Sequence, residues 1–394
     1  RGRARLLFEM MRGDSLPGGW RSEAVRDALD LCLACKGCKG DCPVNVDMAT
    51  YKAEFLSHYY AGRLRPRHAY AMGLIPWVAR AASLAPRLVN LAARAPGISA
   101  LVKLAAGIAP EREIPAFAPE TFKAWFARRR ERADLPADAP RVVLFADTFN
   151  NHFHPGTAKA AVAVLQEAGF RVSVPGPPLC CGRPLYDFGM LDLAARQLRR
   201  ILRILGPEVR KGIPVVVLEP SCAAVFRDEL RNLFPADEDA RRLSESTLLL
   251  SELLRNHAPG WAPPRLSRSA VVQAHCHHRA VIGIDDERAL LDSMGLDVDV
   301  LDSGCCGMAG SFGFERGDHY AVSVAAGERV LLPAVRSAPK ETIVVADGFS
   351  CREQIAQRTD RRALHLAEVL RLAADFGPDG PGGAYPEAAC RAIR

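Results

Sequence analysis

Twelve cysteines lie in this chain of 394 residues, and four of them crowd into Cys32-Leu-Ala-Cys35-Lys-Gly-Cys38-Lys-Gly-Asp-Cys42-Pro43. The spacing C-x2-C-x2-C-x3-C-P lets one short loop present thiolates to a 4Fe-4S cubane from several directions. Cys32, Cys35, Cys38 and Cys42 are therefore the candidate cluster ligands, and Pro43 ends the loop before the next helix. Gly37 and Gly40 are expected to supply positive φ where the backbone turns. Lys36 and Lys39 are expected to favour the more negative, reduced state of a thiolate-ligated centre. Whether Cys42 closes its own cluster is open, because in two-cluster proteins the fourth cysteine of this run serves the other cluster, and no second copy of the run is present. Zinc is the competing metal, although it usually takes thiolates as two separated C-x2-C pairs.

A second set of cysteines recurs in matching surroundings: Cys180, Cys181 and Cys222, then Cys276, Cys305, Cys306 and Cys351. Each is expected just beyond a strand, at the edge of a parallel sheet where ligands bind. Adjacent cysteines pair poorly with each other as a disulfide, whereas both can reach a polynuclear centre, and the following Gly182 or Gly307 lets the backbone pass close by. Cys276, Cys305, Cys306 and Cys351 are the fuller candidate set for a second iron–sulfur or zinc site, and Cys180, Cys181 and Cys222 are a weaker one. Buried, unligated thiols are the plain alternative. His275, His277 and His278 flank Cys276, so a mixed Cys/His zinc site competes in the later set, with His277 as a candidate ligand. His152 and His154 occupy the corresponding place earlier, where a substrate or flavin contact is conceivable. Cys390 is left over, and no catalytic residue is assigned.

The elements that must position these groups divide into segments. Residues 1–62 read as helices around the cysteine loop, with Asp47 a candidate cap of the second helix. Residues 63–140 form a helical connector, rich in Ala and Leu, spaced by Arg and broken by Pro about every ten residues, where each Pro ends or kinks a helix. It closes in a polar linker at 128–140. Short amphipathic helices packed across a domain boundary are the plain reading, and a membrane-surface patch the sharper one. From residue 141 short β-branched runs alternate with helices, twice over: 141–260 and 261–376. Helices are expected at 156–168, 187–205, 284–294 and 318–331. Residues 377–394 are a Gly/Pro-rich tail expected to be mobile. The expected fold class is α/β: an N-terminal α-helical ferredoxin-like domain followed by two duplicated α/β Cys-Cys-Gly domains with parallel strands.

Composition narrows the function. Hydrophobic residues make up 49% of the chain, enough for a full core, and 52 Lys+Arg against 45 Asp+Glu leave a mild formal charge of +7. With aromatics at 7% and no basic stripe, nucleic-acid binding is not expected. Clustered cysteines in a large chain read as metal ligands, not as a disulfide framework. The first residues do not resemble an export signal, no transmembrane helix is expected, and the cytoplasm is the expected compartment, with a peripheral place at the inner face of the membrane as the variant. The absence of an initial Met suggests a piece of a longer polypeptide.

The run CLACKGCKGDCPVNVDMATYKAEFL (32–56), followed by two Cys-Cys-Gly regions, resembles the C-terminal half of the fused FAD-binding and iron–sulfur oxidoreductases. These are D-2-hydroxyacid dehydrogenases that act on D-lactate, glycolate or D-2-hydroxyglutarate. The Cys-Cys-Gly regions are similar to those of the cysteine-rich component of heterodisulfide reductase and of the iron–sulfur components of lactate utilisation and glycolate oxidase. The resemblance covers nearly the whole chain. It implies a FAD-binding oxidase domain, upstream or on a separate chain, that takes a hydride from substrate and passes electrons singly to the cluster near Cys32. It also implies an external electron acceptor, a quinone or a carrier. The full family pattern has five cysteines per noncubane site. Here Glu219 and Gly348 stand where the first cysteine of the closing pair belongs, and Asn150 or Asn151 stands near the missing upstream one. If only one region is occupied, the second is therefore expected to be the one, holding an iron–sulfur cluster or zinc, with the first vestigial or structural. A heterodisulfide-reductase-like thiol/disulfide component and a zinc-stabilised docking scaffold for a flavoprotein are the alternatives.

Overall fold

The computed structural model describes residues 2–13, 16–129, 135–136 and 138–391. Residues 130–134 and 137 of the linker expected at 128–140 lie outside them.

The N-terminal part is helical because its capping and apolar spacing both favour helix. Ser22 caps Glu23–Asp30, its hydroxyl accepting from Val25 N, with Glu23 in the first turn. As expected, Asp47 caps Met48–Tyr59, accepting from Ala49 N and Thr50 N at 3.0 and 3.2 Å. Val25, Leu29 and Phe55 meet between these helices in a small core. The connector forms Arg67–Gly73, Ile75–Ala82, Pro86–Arg94 and Pro96–Ala106. Here the prolines open helices more than they end them: Pro86 and Pro96 sit in first turns, where an amide N–H has no partner to lose.

Beyond the connector stand two parallel sheets. β1 (Arg141–Phe145), β2 (Arg171–Ser173), β3 (Val215–Val217) and β4 (Thr247–Leu248) form the first, in the order β2-β1-β3-β4. β5 (Ser269–Val272), β6 (Asp297–Val300) and β7 (Ile343–Val345) form the second, in the order β6-β5-β7. All pairings are parallel, and a parallel bridge from Val345 to Leu364 occupies the place that β4 holds in the first sheet. Helices cross over between the strands, which bury nearly continuous Val, Leu and Ile runs. The two sheets share one core: helix Pro155–Glu167 packs against Leu366–Phe376, and Val142, Leu144, Val216, Ala270, Val272 and Val345 all contribute to it.

Three expected elements differ. The helix expected at 187–205 is Leu191–Val209, preceded by a short turn of helix at Arg183–Asp187. Gly189 separates the two at φ 65°, and a Cβ there would lie 2.6 Å from Leu56 Cβ, so the break is where the N-terminal helix Met48–Tyr59 presses in. The helix expected at 318–331 stops at Glu328 and restarts at Leu331, because Pro333 has no N–H to continue the ladder. The tail expected to be mobile is tied down as far as it is described: Glu387 is buried against Arg361, and Arg268 donates to the carbonyls of Asp379 and Pro381. Among the described residues no single helix is long and apolar enough to cross a membrane.

Candidate functional site

The loop of Cys32–Cys42 turns in the left-handed region at Ala34 (φ 50°) and Lys36 (φ 59°), and Gly37 and Gly40 lie within the short helix Gly37–Asp41. The expectation that the glycines make the turn is thus corrected: two non-glycine residues flanking Cys35 take the unfavourable conformation, and tertiary contacts hold them there. Lys36 is 1% exposed, and its ammonium meets Asp47 (2.5 Å), Asp228 (2.9 Å) and Glu229 (3.0 Å). Ala34 is pinned from the other side, its carbonyl accepting from His277 Nε2 at 2.9 Å.

These contacts overturn the expected electrostatic role of the lysines. Lys36 is spent on three carboxylates, Lys39 pairs with Asp228 at 2.7 Å, and Arg183 pairs with Glu229 at 2.6 Å. The positive charge beside the loop is cancelled where it stands. Asp228 and Glu229 lie in a π-helical turn, Val225–Glu229, a geometry concentrated at functional sites. No sequence signal marked them, because Asp228 lies 192 positions from Lys36.

None of the four loop cysteines is in a disulfide, and Cys38 is the most open of them. Burial, and then the neighbouring Cys276, push the Cys35 thiol up to about 11, with Cys32 and Cys38 adding to the effect. The loop therefore lies against the second Cys-Cys-Gly region. There Cys276, Cys305, Cys306 and Cys351 lie near enough to shift one another's titration, Cys276 with Cys305, Cys305 with Cys306, and Cys306 with Cys351. The Cys305 hydrogen bond, helped by His275, outweighs burial and brings Cys276 down to about 7. Hydrogen bonds from Cys305 and Cys351 hold Cys306 well below the usual thiol range, while Cys305 and Cys351 are pushed up.

Two glycines shape this site. Gly307 has φ 90°, and any Cβ there would collide with the backbone carbonyl of Ser323. Gly348 opens the helix Phe349–Arg358 that carries Cys351, and a Cβ on it would enter the His275 ring. The imidazole of His275 thus fills the space next to the position where the resemblance calls for a cysteine. His277, the histidine named beforehand, donates from Nε2 to Ala34, which leaves its Nδ1 as an acceptor, buried and without a hydrogen-bond partner among the described residues. His278 instead faces Glu287 at 3.3 Å.

The first Cys-Cys-Gly region is built differently. Cys181 and Cys222 are 2.9 Å apart, hydrogen-bonded and not in a disulfide, and Cys180 is buried close by. Their neighbours are two buried carboxylates. Glu219 caps the helix Pro220–Ala224 and accepts from Phe349 N at 2.8 Å; Asp147 caps Thr148–His152. Burial, and then Glu219, raise Asp147 to about 6. The Cys181 hydrogen bond would lower Cys222, but burial with Asp147 and Glu219 prevails and sends it to about 12. Cys180 and Cys181 are raised too. His152 binds Ser83 and Asn151 through its two ring nitrogens, lines a cavity of about 40 Å³ with Cys180, and is pushed down to about 4 by burial and then Lys123. His154 faces Glu353 at 3.3 Å, away from the thiols. Among the described residues no three His, Cys, Asp or Glu side chains converge as ligands of one metal ion.

Comparison with known proteins bears on this arrangement. Residues 146–227 match the model of the cysteine-rich CCG domain, a span that holds Cys180, Cys181 and Cys222. The chain is 27% identical over 361 residues to the D-2-hydroxyglutarate dehydrogenase of Pseudomonas putida, which aligns to 89% of this chain but only 34% of its own length. It is 30% identical over 266 residues to one of the subunits of anaerobic glycerol-3-phosphate dehydrogenase of Escherichia coli, covering 66% of each. The chain is a component of an oxidoreductase. Lactate utilization protein A of Bacillus velezensis shares 28% over 244 residues, 58% of this chain and 98% of that protein. The oxidoreductase component described here spans about a third of the length of the dehydrogenase that it matches over most of its own. Its CCG domain and these relatives together support an iron–sulfur redox role.

Proposed function

We propose that the chain is the electron-transfer portion of a FAD-dependent D-2-hydroxyacid dehydrogenase. On this reading it accepts electrons from reduced flavin on a neighbouring domain or partner chain and passes them to an external acceptor. The observation that carries the reading is the contact between the two thiol arrays: Cys276 acts on Cys35, and His277 donates to Ala34, so charge on one array is felt at the other.

The residues fit a cluster. Cys32, Cys35, Cys38 and Cys42 come from one turn pinned by Lys36 and His277, and the burial and neighbouring thiols that raise Cys35 are what a bound cation would offset. A 4Fe-4S cluster held there would supply one-electron chemistry at a site that the protein need not rearrange. Around it the chain excludes water from the inner side, where Lys36 and Glu229 are buried, and leaves the Cys38 side open. Cys276, Cys305, Cys306 and Cys351 would hold a second, polynuclear centre; Cys276 and Cys306 already favour the thiolate state that a metal requires. Cys180, Cys181 and Cys222, protonated beside two carboxylates, would remain structural. Equal strand order in the two sheets supports reading the two regions as a duplication.

The test is anaerobic reconstitution followed by iron and acid-labile sulfide quantification and EPR of the reduced protein. A Cys38→Ser variant should lose the cubane signal and the transfer of electrons to a dye while an associated flavin remains reducible by substrate. Zinc without sulfide, or unchanged dye reduction in Cys38→Ser, would remove this reading.

A further inference from the structure

We infer that the helix pair Pro86–Arg94 and Pro96–Ala106 is a docking face for an anionic lipid surface. Neither helix contains a fully buried residue. Leu88 and Leu91, 69% and 67% exposed, stand one helical turn apart on the first helix, and Leu84, 87% exposed, lies in the turn just before it. Ile98, Leu101 and Leu104 repeat the pattern on the second helix, with Leu101 67% exposed. A contiguous apolar patch of this kind marks an interaction surface, unlike apolar residues scattered singly.

Charge selects the partner. From residue 55 to residue 110 the chain has no Asp or Glu, but it has seven cations, Arg63, Arg65, Arg67, Arg80, Arg87, Arg94 and Lys103. The formal net charge of the whole chain is +7, so this segment carries all of the excess and the remainder is neutral. Among the described residues no ion pair joins Arg80, Arg87 or Arg94 to a carboxylate, and the leucines sit between them in sequence. Leu in the stripe with Arg beside it is the pattern of a helix lying in the interface of an anionic bilayer.

Geometry fixes the mode. The two helices meet at 94°, and with 9 and 11 residues each reaches only about half the hydrocarbon thickness, so they lie on the surface and do not span it. The preceding helix of the same connector adds a partly exposed aromatic, Trp77, 41% exposed, of the type that favours a bilayer interface. None of this depends on the iron reading, since the connector carries none of the twelve cysteines.

The test is cosedimentation of the full chain with vesicles. It should bind vesicles of phosphatidylglycerol and phosphatidylcholine in equal parts at least tenfold more tightly than vesicles of phosphatidylcholine alone. Leu88→Asp/Leu91→Asp/Leu101→Asp should weaken that binding by about tenfold or more, with far-UV circular dichroism and iron content unchanged. Absence of binding to either vesicle, or a triple variant that binds as the parent does, overturns the inference. So does self-association that Leu88→Asp abolishes, which would assign the face to a second copy of the chain. Iron content reports separately on the redox reading, so the two fail independently.

Discussion

The two Cys-Cys-Gly regions share a strand order and differ in what surrounds their sulfur. In the first, three thiols are buried, and burial together with the charge of Asp147 and Glu219 outweighs the Cys181 hydrogen bond and raises Cys222 to about 12. In the second, His275 fills the space beside Gly348, and the Cys305 hydrogen bond, helped by His275, outweighs burial and brings Cys276 down to about 7. The cysteine loop touches both, but in different ways. It is anchored to the first region by charge, through Lys36, Lys39, Asp228 and Glu229, and it shares its thiol field with the second, through Cys35, Cys276 and the His277 bond. One fold thus supplies an anchor on one side and a thiol array on the other. A shared order of three strands does not carry identical chemistry, because chemistry depends on a few side chains at the sheet edge.

Removing the anchor should have the largest effect. Lys36→Met leaves Asp47, Asp228 and Glu229 buried without their common cation and should cost about 3–5 kcal/mol in urea unfolding. A loss below 1 kcal/mol would mean that the loop does not depend on the first region. Next come the paired glycines. Gly307→Ala must displace the Ser323 carbonyl as well as hold φ 90°, whereas a Cβ at Gly182 meets Ala194 only at 3.4 Å. We expect about 3 kcal/mol for Gly307→Ala and about 1 kcal/mol for Gly182→Ala; equal losses would erase the asymmetry.

The thiols themselves give a pH test on the apoprotein. A thiol titrating near 7 is mostly protonated at pH 6 and mostly thiolate at pH 8, so alkylation of Cys276 by iodoacetamide should rise about tenfold across that interval. Cys222, titrating near 12, should stay inert throughout. Peptide mass spectrometry that finds Cys222 labelled first would reverse the comparison. The smallest effect is expected from His277→Phe, which removes one hydrogen bond to Ala34 and should cost about 1 kcal/mol. If the second array sits against the loop, the same change should also alter the EPR line shape of the reconstituted protein, while His154→Phe should not.

The sequence by itself determined the pieces that depend on local spacing. The loop at 32–42, the Asp47 cap, the alternation of β-branched runs with helices and the recurrence of Cys-Cys-Gly are all written over short stretches, where backbone geometry follows from neighbouring residues. Helix ends were less legible. The break at Gly189 exists because Leu56, from another part of the chain, occupies the space, although Pro333 could have signalled the one at Arg329. The electrostatics were not legible at all. Lys36 and Lys39 looked like free charge beside the thiols until folding set Asp228 and Glu229 against them. Only the tertiary structure decided which thiols share a field, since Cys35 and Cys276 meet through the packing of separate elements, and charges act through space with no regard for position along the chain.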